Sequence, residues 1–172
     1  MLTVLAVAGL AYVFPWYGRL DREMGRYLAG LSGVRPDSRL LPLFFRRDSP
    51  AQGLDLLSHA AGYAAVEKGL IDWDNYQAKV PFFPVRFRSS VRQPALAGIL
   101  TDPGTLRVRE NRNRIDAIYV RGMPEGHPLA RRLRKHYRLV AETDGGELWQ
   151  RRPTAPAAPP GGSARPFPRR PG

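Results

Sequence analysis

The first seventeen residues, MLTVLAVAGLAYVFPWY, carry no charged side chain, and no other feature restricts the chain as much. A helix that crosses a bilayer needs about 20 apolar residues. Here Pro15 interrupts the run after fourteen. A secretory signal needs a basic start and a small-residue cleavage site, yet neither Lys nor Arg precedes Arg19. Tyr12, Trp16 and Tyr17 near the polar end have the character of an aromatic belt at a membrane–water interface. Residues 1–17 are therefore expected to be a partial transmembrane or membrane-anchor helix, the last turns of a span whose beginning lies outside this chain. A buried core helix is the alternative.

From Tyr17 onward, Leu20, Met24, Tyr27, Leu28 and Leu31 recur at helical spacing until Gly33 and Pro36 end the pattern. This predicts one helix, bent near Pro15, from the apolar start to Leu31. Leu40–Phe45 is a short apolar run of strand length, with Pro42 suggesting an edge position or an irregular end. Asp55–Gly69 is expected to be helical, with Gly69 as its stop. Phe82–Arg88 alternates like a half-exposed strand. Ile115–Val120 reads as a strand and His127–Tyr137 as a helix. Leu139–Glu142 and Glu147–Gln150 flank the turn Asp144-Gly145-Gly146, a hairpin. The expected fold is α/β: a small mixed sheet with flanking helices over residues 18–152, the His127–Tyr137 helix crossing over one face. Residues 153–172, Pro- and Arg-rich, are expected to form a disordered tail.

The chain of 172 residues has a formal net charge of +12, from 24 Arg and only 3 Lys against 15 acids. Such a balance attracts nucleic acid and anionic membrane alike. Absence of cysteine removes disulfide scaffolds, thiolate metal sites and thiol catalysis. No phosphate loop, dinucleotide fingerprint, nucleophile elbow or HExxH is present. The three histidines have no metal-ligand spacing, so neither a catalytic residue, a metal nor a cofactor is assigned.

Two constellations remain. His59, Tyr63 and Glu67 stand at i, i+4 and i+8, one stripe along a helix face, flanked by the small Ala60 and Gly62. They form either a polar cleft stripe or a packed face with Tyr63 in the core. Trp73, Asp74, Asn75 and Tyr76, after Asp72, combine flat aromatic faces with carboxylate and amide groups, which suits carbohydrate contact. Ordinary turn chemistry accounts for the same residues.

HAAGYAAVEKG, with His59, Tyr63, Glu67 and Gly69, resembles a helix in the soluble C-terminal domains of bacterial polytopic membrane glycosyltransferases. These have the C-type fold, depend on polyprenyl-phosphate sugars and are mannosyltransferase-like. RLLPLFF, IDWDNYQA, FFPVRFR, RIDAIYVRG and HYRLVAETDGGELWQRR are similar to such domains in order and spacing, over most of residues 39–152. The resemblance implies an extracytoplasmic accessory domain at the cell membrane, following a last transmembrane helix, and not catalytic alone. The chain would then be a fragment of a longer protein. Its partners would be the transmembrane part of a glycosyltransferase and a lipid-linked sugar or glycan. The catalytic acids of that family lie in the membrane part, so none transfers. A basic nucleic-acid-binding protein is the alternative function.

Overall fold

A computed structural model describes residues 2–46, 57, 59–75, 78, 82, 84, 86–88, 91, 93–94, 96, 98–144 and 146–153, with backbone alone for 2–8 and 10. The apolar start and the amphipathic stretch form one helix, α1, Leu2–Gly30, with Pro15 inside it. After it come β1 (Arg39–Phe44), α2 (Ala60–Lys68) and β2 (Ile71–Asp72). A 3-10 turn at Pro103–Thr105 and the single-turn α3 (Val108–Asn111) lead to β3 (Ala117–Arg121). The chain closes with α4 (Pro128–Arg134), β4 (Tyr137–Thr143) and β5 (Gly146–Arg151).

The strands form one mixed sheet in the order β2-β1-β3-β5-β4. β2, β1 and β3 are parallel, whereas β5 runs antiparallel to both β3 and β4. The α/β class with a small mixed sheet is thus what the chain adopts. Both sheet faces are covered, which explains the unbroken apolar run of β1. Leu40 and Phe44 lie in the layer with Tyr27, Leu31 and the α2 alanines, alongside Tyr119 and Leu148. Leu41 and Leu43 join the other layer, with Ile118, Trp149, Leu129 and Leu133. α1 and α2 therefore cover one face, and α4 with the 96–115 region covers the other.

β1 is an inner strand, and its proline survives there for a local reason. Arg39 O accepts from Asp116 N–H and Phe45 N–H donates to Arg121 O, so odd residues bond toward β3. Pro42 faces the β2 side, where the last bond runs from Trp73 N–H to Leu40 O, and the pairing with β2 stops where the proline has no N–H to give. Three expected elements differ. The helix expected at His127–Tyr137 is Pro128–Arg134, and Tyr137 opens β4. Helix α2 begins at Ala60, because Leu57 and His59 are in the preceding turn and Ala60 N–H bonds to Leu57 O; Asp55 lies outside the described residues. In the expected strand Phe82–Arg88, the described residues 82, 84 and 86–88 are irregular. Pro84 removes a donor from that stretch and Pro81 one just before it, which works against a ladder. The 154–172 part of the tail lies outside the described residues.

The direction of α1 follows from two ties. About three-quarters along it, Glu23 pairs with Arg121 at the C-terminal end of β3. Just past its end, Gly33 O accepts from Gln150, which stands opposite Ala117 at the N-terminal end of β3. α1 is thus antiparallel to β3. Its first twenty residues extend about 30 Å past the C-terminal end of the sheet, at 1.5 Å per residue. Tyr12, Phe14 and Tyr17 on that extension are 78%, 69% and 60% exposed.

Candidate functional site

α2 divides its residues among three directions. Ala60, Ala61 and Ala64 are buried against α1 and the sheet. Their small side chains let the helix backbone approach closely. His59, Tyr63 and Glu67 all face outward, with Tyr63 67% exposed. Tyr63 is therefore not a core residue. His59 is the residue just before the helix, without a side-chain cap bond. The third face, Gly62, Ala65 and Gly69, borders a cleft.

That cleft has a volume of about 800 Å³. Asp72, Asn75, Arg86 and Arg88 are among its other lining residues. Gly69 shapes the turn into it. The residue sits at φ 67, the left-handed region, and Leu70 N–H bonds back to Ala65 O. Lys68 is fixed here as well, its ammonium donating to the carbonyls of Leu31 and Ser32 beyond α1. The small-residue wall leaves room for a ligand, while carboxylate, amide and guanidinium groups supply directional bonds to hydroxyls. The stripe His59, Tyr63, Glu67 is not part of this cleft's lining.

The Asp72–Asn75 turn is held by its own side chains. Asp72 Oδ1 accepts from Asp74 N–H at 2.9 Å, and Asn75 Oδ1 accepts from Ala78 N–H. The Trp73 ring is fully buried, packs on Phe87 at 5.2 Å and donates Nε1–H to Arg114 O at 3.0 Å. It has no face open to a sugar. Asp74 and Asn75 are half-buried, and Tyr76 lies outside the described residues. Of the described residues expected to touch carbohydrate, only Asn75 borders the cleft, together with neighbouring Asp72.

Sequence reading missed Arg86 and Arg88 as cleft residues, because it assigned them to the exposed side of a strand. It also missed Asp116. Arg39 donates to this carboxylate from Nε at 2.7 Å and Nη2 at 2.9 Å, and Arg151 Nη2 lies 2.7 Å away. Burial would raise the Asp116 carboxyl, but the Arg39 bonds outweigh it and hold it below the ordinary value. Asp116 joins β1, β3 and β5 and has a structural role. Among the described residues, no group of three His, Asp or Glu could hold a metal. No family model, curated protein or solved structure matches this chain.

Proposed function

We propose that the first half of α1 embeds in a membrane and holds the α/β body at its surface as an accessory domain. The domain would serve a glycosyltransferase-like membrane protein, offer the α2 cleft to a lipid-linked sugar or glycan, and not be catalytic alone. One observation carries the membrane part. A charge-free helical extension leaves the body with Tyr12, Phe14 and Tyr17 exposed, the aromatic types favoured at bilayer interfaces. Among the described residues no helix is long and apolar enough to cross a membrane. The reading therefore asks for embedding only. The glycosyltransferase association rests on the sequence resemblance alone.

Flotation with neutral vesicles tests the anchoring. The full chain should float, and a Tyr12→Ser, Phe14→Ser, Tyr17→Ser variant should stay at the bottom of the gradient. A full chain that remains monomeric and soluble without detergent or lipid would contradict the reading.

The resemblance favours the extracytoplasmic side of the membrane. Arg19, Arg22 and Arg26, exposed directly after the apolar stretch, favour the cytoplasmic side by the positive-inside rule. Since the chain has no cysteine, Ser32→Cys supplies a single exposed thiol. Labelling by a membrane-impermeant maleimide in intact cells supports the extracytoplasmic side; labelling only after lysis supports the cytoplasmic one.

A further inference from the structure

At the end of the sheet opposite the α1 extension, folding brings together cations from two distant segments. Arg107 and Arg109 flank Val108 at the start of α3, while Arg132 and Lys135 come from α4 and its end. With His136 they line a groove of about 270 Å³. One carboxylate, Glu110, shares it, and that group is already 3.6 Å from Arg107. Arg109 and Lys135 are exposed, and Arg112 stands just after α3. Burial and the neighbouring charges of Arg112, Arg109 and Lys135 push the His136 imidazole below its ordinary pKa, a sign of positive potential there.

Arg132 gives the groove a fixed wall. Its guanidinium donates to the carbonyl oxygens of Leu106 and Gly104. Its Nε–H is buried without a partner among the described residues. A guanidinium held in place beside the exposed cations Arg107, Arg109 and Lys135 is suited to phosphate oxygens.

We propose that this α3–α4 groove binds the phosphate or diphosphate group of a soluble ligand. His136 precedes β4, and Arg152 N–H bonds to its carbonyl, so the groove lies at the N-terminal end of β3. α1 leaves from the other end. A bilayer that held α1 would not reach the groove, so the choice of a soluble phosphate over a lipid headgroup rests on the membrane reading.

The test is titration of the full chain in neutral detergent with inorganic pyrophosphate, read by calorimetry and by the proton resonance of the His136 ring. Saturable one-to-one binding is expected. Its affinity should fall about tenfold or more in Arg109→Gln/Lys135→Gln, as charge-assisted bonds are lost. Bound pyrophosphate should also raise the His136 pKa. Circular dichroism of the exposed double variant confirms that it is folded. No saturable binding, or equal affinity in the variant, overturns the proposal. Binding of single-stranded DNA, or of vesicles with anionic lipid, in place of pyrophosphate also overturns it. Repeating the titration on the Tyr12, Phe14, Tyr17 variant separates the two readings, because the groove should bind pyrophosphate whether or not α1 embeds.

Discussion

Arg121 Nη2 lies 2.5 Å from Glu23 Oε1, and this pair fixes how far α1 extends beyond the sheet. Both side chains are largely buried, at 19% and 11% exposure. The tie joins the last residue of β3 to a point about three-quarters along a 29-residue helix. N-terminal to Glu23, Tyr12, Phe14 and Tyr17 are exposed.

Glu23→Gln keeps the shape of the side chain and removes its charge. Arg121 would then be a poorly compensated cation under α1, at a cost of about 2 kcal/mol. Chemical denaturation should reveal that loss. Glu23→Met combined with Arg121→Met should recover part of it, since an apolar pair leaves no buried charge. A neutral single variant would mean that the pair does not hold the helix.

The Asp116 network makes part of the stability depend on acid. Its carboxyl is held below the ordinary 3.8 by Arg39 despite burial. The resulting stabilisation is complete above that ordinary value and is lost as pH falls through the lower folded value. At neutral pH, Asp116→Asn should cost about 2 kcal/mol by leaving Arg39 and Arg151 unpaired. Melting temperatures of the two proteins, followed from pH 7 to pH 2, should converge at the acid end. Curves that stay parallel throughout would remove Asp116 from the account.

The outward stripe on α2 predicts a contrast between neighbours. His59→Ala and Tyr63→Ala should each change stability by no more than about 0.5 kcal/mol, as exposed substitutions do. Ala64→Leu, one residue further on, should cost about 1–3 kcal/mol by overpacking the seam against α1 and the sheet. Unfolding midpoints check both. A loss above about 2 kcal/mol for Tyr63→Ala would place the ring in the core.

These elements differ in how much of them could be read from residue order. The hairpin was legible because Asp144-Gly145-Gly146 supplies turn chemistry between two apolar runs, and Gly146 sits at φ 145, which side chains avoid. Gly69 marked the end of α2 for the same kind of local reason. The orientation of α2 was not legible. His59, Tyr63 and Glu67 define a face by spacing, but the three alanines decide burial because they alone allow a close approach. Trp73 looked available to a ligand, yet Phe87 and Arg114, distant in sequence, cover its ring and take its N–H. The phosphate groove was invisible for a related reason. Arg107 and Arg109 join Lys135 only after β3 and α4 are in place.

The central claim is that the α1 extension enters a bilayer, and Trp16 reports on it most directly. The other two tryptophans, Trp73 and Trp149, are buried in the body at 0% and 2% exposure. Fluorescence of the full chain should be compared in vesicles of ordinary lipid and of lipid brominated along its acyl chains. The account predicts that brominated lipid quenches part of the emission and that Trp16→Phe abolishes this quenching. Equal emission in the two lipids would contradict membrane embedding of α1.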